Sequence, residues 1–250
     1  MQFRFSDQTI TINMPDQAAV LAEITARLRA GRGFSLATIN LDHLVKLRRS
    51  AAYRQVYAAQ SLIVADGNPI VWLSKLAGKP VSLVPGSDLL LPLLRCAAAE
   101  AMPVAFFGSS PQVLGLAAKR LQHQVPGLNI VWTAAPPMGF DPTSPEAHRA
   151  VQQMQAAGAR LCIISLTAPR QEAFAAFGHD LAPEIGFCGF GAGLDFVAGQ
   201  QIRAPKWVRA IAMEWLWRAL SAPRRLLPRY ASCAAILPGQ ALDALRQRRQ

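Results

Sequence analysis

The chain has 250 residues, 52% of them hydrophobic and 16% charged, with a formal net charge of +11. That length fits one well-filled α/β domain with a small appendage, and that apolar content excludes a disordered protein. The charge is uneven: from Gln201 onward ten Lys/Arg face two acids, Glu214 and Asp243, whereas the first 200 residues hold sixteen basic and thirteen acidic groups.

In chain order, period-two alternation at Phe3-Arg4-Phe5 and Thr9-Ile10-Thr11-Ile12 predicts a small hairpin. Ala18, Val20, Leu21, Ile24 and Leu28 fall at helical spacing over 17–29. A strand near 34–38 leads into one helix over 41–60, then a strand over 61–65 that ends at Asp66-Gly67. Pro69 suits the first turn of a helix over 68–77, and Gly86-Ser87-Asp88 opens another that runs to 101. The second half keeps the rhythm. Strand 104–107, the turn Gly108-Ser109-Ser110, helix 111–123 and strand 128–132 are followed by a Pro-rich loop, helix 145–157, strand 160–166, helix 170–179 and strand 185–190. Strands alternating with helices of this length predict an α/β fold: a Rossmann-like parallel sheet sandwiched between helices.

Ligands of such sheets bind at the carboxyl ends of the strands. The residues expected there are Thr38 and Asn40, Asp66-Gly67, Gly108-Ser109-Ser110, Pro136-Pro137-Met138-Gly139-Phe140, Thr167-Ala168-Pro169-Arg170-Gln171 and Gly189-Phe190-Gly191-Ala192-Gly193. Glycine and serine turns facing helix N-termini offer the free N–H donors and close backbone approach that a diphosphate needs. Neither a Walker A sequence nor a D-x-D pair for a metal-bound diphosphate is present. The cysteines, Cys96, Cys162, Cys188 and Cys233, lack metal-ligand spacing and read as reduced thiols. No metal site and no cofactor are expected.

An ordered set of motifs runs through this framework: Thr38-x-Asn40-x-Asp42-His43, Ala65-Asp66-Gly67-x-Pro69, Pro85-Gly86-Ser87-Asp88, Pro169-Arg170-Gln171-Glu172, Gly191-Ala192-Gly193-x-Asp195-Phe196-x-Ala198-Gly199, Arg203-Ala204-Pro205-Lys206-Trp207 and Glu214-Trp215-x-x-Arg218. In order and spacing it resembles the WecG/TagA/CpsF glycosyltransferase family over residues 35–230. The resemblance implies an inverting, metal-independent transferase. Its substrates would be a UDP-sugar (N-acetylmannosamine, its uronic acid, or glucose) and a sugar on polyprenyl diphosphate. Its place would be the inner face of the bacterial membrane, in polysaccharide synthesis.

Inversion needs one general base to deprotonate the acceptor hydroxyl. Asp66, a strand-end carboxylate before a glycine, matches the family's proposed base, though an Asp there also suits capping of the next helix. Thr38, Asn40 and Gln171 are expected to hydrogen-bond around the sugar, or else to cap helices, and His43 to be a packing or supporting residue. Arginine matches phosphate geometry, and the resemblance assigns Arg218 and Arg225 to the leaving group. A third family position, usually basic, falls on Pro228 with Arg229 beside it. Thr167 stands where the family usually has glycine and Arg170 where it has lysine. The expected substrate-binding set is Gly67, Gly108, Ser109, Pro137, Gly139, Thr167, Arg170, Gly191, Asp195 and Arg229.

The chain thus divides into a catalytic domain over 1–200 and, over 201–250, a C-terminal basic amphipathic helical appendage that meets the membrane and completes the site. Trp207, Val208, Ile211, Trp215, Leu216 and Ala219 fall at helical spacing, with Arg209 and Arg218 among them, a pattern suited to the interface of an anionic bilayer. Residues 226–237 are apolar but broken by Pro228 and Pro238, fit to lie in a membrane and not to cross it. No apolar run reaches the roughly 18 residues of a spanning helix, and residues 1–11 lack a signal-peptide pattern. The expectation is a peripheral protein at the cytoplasmic face, neither secreted nor integral. Nucleic-acid binding, the other use of a strong positive charge, wants basic residues spread along a groove with aromatic platforms. Here the basic excess is terminal, so nucleic acid is not an expected partner. A catalytically inactive membrane scaffold is the remaining alternative, and loss of sugar transfer on replacing Asp66 separates it from an enzyme.

Overall fold

A computed structural model of the protein describes residues 1–201, 204–205, 208, 213–221 and 223–249. The hairpin forms from β1 (Gln2–Arg4) and β2 (Thr9–Thr11). After α1 (Gln17–Arg29) comes the parallel sheet: β3 (Phe34–Ile39), β4 (Leu62–Ala65), β5 (Val104–Gly108), β6 (Ile130–Ala134), β7 (Leu161–Ser165) and β8 (Gly186–Gly189). The strands stand in the order β4-β3-β8-β7-β5-β6, and every neighbouring pair is parallel.

Between them run α2 (Leu41–Arg49), α3 (Ala51–Ala58), α4 (Asn68–Leu76), α5 (Gly86–Ala99), α6 (Pro111–Gln124), α7 (Pro145–Ala156) and α8 (Arg170–Leu181), and α9 (Gly193–Ala198) follows β8. Strand side chains alternate between two apolar layers, as a sheet covered on both faces requires. Leu36, Val64, Phe106 and Ile163 pack with α1, α5 and α6. On the other face Ala37, Ile39 and Ile63 pack with α2, α3 and α4, and Phe107, Cys162 and Ile164 with α7 and α8.

Three elements depart from the sequence reading. The single helix expected over 41–60 is two, because Ser50 is extended (φ −135°, ψ 112°) and its side chain caps α3 by accepting from the Tyr53 amide at 3.1 Å. The strand expected at 128–132 lies two residues later, since a turn with Gly127 at φ +83° and a Leu128 N–H to Val125 carbonyl bond takes up its start. The glycine turn after β8 continues into α9, an element with no counterpart among those expected from the sequence.

The appendage contains α10 (Glu214–Ser221) and α11 (Pro223–Arg248). Residues 226–237, expected to be broken, lie within one helix that carries both Pro228 and Pro238. Packing supports it: α11 lies on α2 and α4, with Leu226, Cys233, Gln240, Ala244 and Gln247 buried along one stripe, so the loss of one backbone hydrogen bond per proline is tolerated. Gln247 also brackets the first strand, accepting from the Gln2 amide at 3.2 Å and donating to its carbonyl at 2.6 Å. Among the described residues no helix is long and apolar enough to cross a membrane. Arg203, Lys206, Trp207, Arg209 and Ile211 lie outside the described residues.

Candidate active site

Because all six strands run the same way, their carboxyl ends share one edge. Adjacent strands are about 4.8 Å apart, so Asp66 after β4 and Ser109 after β5 stand roughly 19 Å apart across four spacings. That row divides into two halves.

The first half centres on Asp66. Its amide donates to the Ile39 carbonyl at 2.8 Å, extending the β3–β4 ladder by one residue. The carboxylate oxygen Oδ2 receives long contacts from Thr38 Oγ1 (3.4 Å) and Asn40 Nδ2 (3.5 Å). The N-cap of helix α4 is Gly67 (φ +115°), the residue that follows Asp66. Asn40 caps α2 and also faces Asp66. Its Oδ1 accepts from the His43 amide at 3.2 Å, capping α2, while its Nδ2 turns to Asp66.

Beneath these groups lies a buried layer. His43 Nδ1 accepts from the Asn40 amide at 3.2 Å, which leaves the ring proton on Nε2, 3.6 Å from Glu172 Oε1. Burial brings the imidazole pKa down to about 3, so the ring is neutral at physiological pH. Gln171 lies below the turn after β8: Oε1 accepts from the Gly191 amide at 2.9 Å and Nε2 donates to Glu172 Oε1 at 2.7 Å. A side chain at position 189 would start 3.0 Å from Gln171 Cδ, so glycine permits this close packing.

The second half lies between β5 and β7. The chain leaves β5 toward β6 on one side and leaves β7 toward β8 on the other, which makes this crevice a topological switch point, the usual ligand position in open α/β sheets. Asp195, at the start of α9, stands there with Ser109 Oγ donating to Oδ1 at 3.1 Å and Ser165 Oγ 3.3 Å from Oδ2. Gly108 has φ +114°, and a Cβ there would fall 2.3 Å from the Ser165 carbonyl oxygen. Ser109 itself has φ +51°, a left-handed conformation uncommon outside glycine and concentrated at functional turns.

The remaining expected positions lie on the rim. Thr167 and Arg170 are exposed where the loop after β7 enters α8, with the Arg170 amide donating to the Thr167 carbonyl at 2.9 Å. Pro137 and Gly139 are exposed in the loop after β6, which Phe140 anchors by packing against Phe107 and Phe174.

Arg229 joins the appendage to the first half. Its Nε stands 3.0 Å from Asp42 Oδ1 at the start of α2. Asp42 Oδ2 meets Lys46 Nζ at 2.7 Å, and Lys46 reaches the Ala168 carbonyl at 3.2 Å. Burial raises the Asp42 pKa, but the Lys46 hydrogen bond and the Arg229 and Lys46 charges outweigh it, and the net shift is downward. Arg229 is thus engaged with α2, two residues past Asn40. Arg218 and Arg225 fall on α10 and α11, and their side chains lie outside the described residues. Among the described residues no group of three His, Cys, Asp or Glu is arranged to hold a metal ion. One surface concavity is lined by Met1, Phe3, Gln240 and Gln247 and another by Ser144, His148 and Phe177.

Residues 7–250 match the glycosyl transferase WecG/TagA/CpsF family. The chain belongs to that family. It is therefore a glycosyltransferase of bacterial surface polysaccharide synthesis, with a sugar donor and an acceptor as its substrates. The blocks around Thr38 and Asn40, Asp66 and Gly67, Gln171, and Gly191 and Asp195 come together at the strand-end row, although they are scattered along the chain. What the sequence reading missed is the layer below them, Glu172 and Ser165. One signal was available for Glu172: with Gln171, Phe174, Ala175 and Gly178 it falls on the buried face of α8, and an acid on an apolar face calls for an explanation.

Proposed function

We propose that the protein is an inverting transferase that moves a hexose (N-acetylmannosamine, its uronic acid, or glucose) from a UDP-sugar to a sugar carried on polyprenyl diphosphate. It would work as a peripheral protein at the cytoplasmic face of the bacterial membrane. The observation that carries the reading is the Asp66 carboxylate at a strand end, faced by Thr38 and Asn40.

In the proposed step the acceptor hydroxyl oxygen attacks the anomeric carbon and its proton passes to Asp66. The bond from that carbon to the diphosphate oxygen breaks, and UDP departs with the electron pair. Thr38 and Asn40 steer the Asp66 oxygen toward the acceptor, and Gln171 holds the Gly191 turn behind the sugar. The switch-point half, with Gly108, Ser109 and Asp195, takes the nucleotide; Thr167, Arg170, Pro137 and Gly139 form the rim, and Gly67 lies beside Asp66 on the sugar side. Residues 201–250 act as the appendage that completes the site over residues 1–200. Arg218, Arg225 and Arg229 bring positive charge to the departing diphosphate, a role for which the guanidinium fork is suited. This charge makes the reaction independent of a divalent ion: EDTA should leave turnover intact, and loss of activity restored by magnesium or manganese would remove the arginines from that role.

Replacing Asp66 by Asn tests the reading. Turnover should fall by about 10² or more, the usual worth of a general base, while UDP affinity and the melting curve stay as in wild type. A variant that keeps more than about a tenth of the activity is incompatible with Asp66 as base.

A further inference from the structure

The buried layer under the cleft is built around a carboxyl group with no place in the transfer chemistry. Glu172 is 1% exposed and His43 5% exposed. Glu172 Oε1 accepts from Gln171 Nε2 at 2.7 Å and faces His43 Nε2 at 3.6 Å. Each of these neighbours in turn holds a residue of the cleft wall. Gln171 holds the Gly191 amide, and His43 holds the Asn40 amide while Asn40 reaches Asp66. Gln60 Nε2 donates to the Glu172 carbonyl at 3.0 Å, and the Tyr57 hydroxyl donates to the Thr38 carbonyl at 2.8 Å. For packing alone an apolar side chain would serve better on this face of α8, since burying a carboxyl is unfavourable unless its hydrogen bonds are needed.

We propose that Glu172 is a positioning residue for the transfer reaction, fixing the Gly191 turn through Gln171 and the Asn40–Asp66 pair through His43, so that both halves of the cleft keep one register. The proposal rests on the reaction proposed above.

A second buried pair stands beside this network. Glu172 Oε2 and the Tyr53 hydroxyl are both buried without a hydrogen bond of normal geometry, and the phenol stands beside the carboxyl. Burial raises the pKa of this carboxyl. A proton on Oε2 leaves Oε1 as acceptor for Gln171 and His43 and makes Oε2 a donor toward Tyr53. A glutamine amide presents the same pattern.

The test is steady-state kinetics on a soluble acceptor analogue with wild type, Glu172→Gln, Glu172→Leu and His43→Phe, beside the melting curve of each. Glu172→Leu should lower kcat about 10²-fold and raise the donor KM, because misplacing a reacting group by about 1 Å has an effect of that order. His43→Phe cuts one arm, and should lower kcat about tenfold with donor KM unchanged. Glu172→Gln should stay within about threefold of wild type, its hydrogen bonds being preserved. A folded Glu172→Leu protein with wild-type kcat overturns the proposal, and so does Glu172→Gln as slow as Glu172→Leu. If Glu172→Leu does not fold, the other two variants decide: slow His43→Phe with active Glu172→Gln supports positioning, and wild-type kcat in His43→Phe overturns it. A wild-type protein that transfers no sugar in this assay sinks the transfer reaction and this proposal together, whereas an active wild type with indifferent variants sinks this proposal alone.

Discussion

At neutral pH the native protein keeps His43 uncharged, with Nδ1 tied to the Asn40 amide. In the unfolded chain the same imidazole has its ordinary pKa of 6.5, against about 3 in the fold. Between those values the unfolded state binds a proton that the native state does not, so stability falls as pH drops through 6.5 toward 3. At about 1.4 kcal/mol per unit of pH, the loss is on the order of a few kcal/mol by pH 4. Glu172 works the other way: its pKa is raised by burial, so its contribution weakens as pH rises through and above the ordinary carboxylate range. Thermal unfolding of wild type and His43→Phe at pH 7 and pH 4.5 isolates the histidine. The drop in melting temperature on acidification should be smaller in the variant, and an equal drop in both would place the acid sensitivity elsewhere. The same residues mark how far single positions can be read from sequence. Asp66, Thr38 and Asn40 were legible because a strand end in a parallel sheet fixes where a side chain goes. Glu172 is less legible, because two of its neighbours, His43 and Tyr53, come from α2 and α3, more than a hundred positions away in the chain.

At the scale of elements, hydrophobic period and turn residues gave the alternation of strands and helices and most boundaries within a residue or two. The failures have local causes. Continuous helical periodicity over 41–60 hid a break, since Ser50 stops α2 and caps α3 without disturbing the apolar pattern. Serine before an apolar period is a helix-start signal, and Ser50 is the one residue that marks the break in the sequence. The break has a function in the fold, because it turns α3 so that Tyr57 meets the Thr38 carbonyl and Tyr53 stands beside Glu172. Ser50→Ala should therefore lower stability by about 1 kcal/mol, a fall in melting temperature of roughly 2–4 °C for a chain of this size. A calorimetric scan at pH 7 checks it, and an unchanged midpoint would mean that packing alone sets the angle between α2 and α3.

For the molecule as a whole, the question is what its basic end does. Ten of the 26 Lys/Arg lie among the last 50 residues, yet α11 is not a free tail. Its buried stripe from Leu226 to Gln247 lies on the body, Ala244 is fully enclosed, and Gln247 brackets Gln2. Sequence periodicity shows that a helix has an apolar face and does not say whether protein or lipid will cover it. Cutting the chain after Gly199 would remove core as well as charge, and a loss of activity would then have two causes. Point substitutions separate them. Trp215, Leu220 and Leu227 are exposed, at 49%, 73% and 56%, and Arg224 is exposed between the last two. Apolar side chains beside arginine suit the head-group region of a bilayer, where each Lys/Arg near an anionic leaflet adds on the order of 1 kcal/mol. Changing Trp215, Leu220 and Leu227 together to Ser should cut sedimentation with anionic vesicles at least about tenfold, given the apolar area withdrawn from lipid, and should leave turnover of a water-soluble acceptor analogue near wild type. Arg218→Ala with Arg225→Ala should show the reverse: turnover falls and vesicle binding changes little, because eight other basic residues of the segment remain. A triple Ser variant that sediments like wild type would move the membrane-facing surface away from α10 and the start of α11. Full turnover in the arginine pair would take both guanidinium groups out of the chemistry and leave them as charges for the membrane.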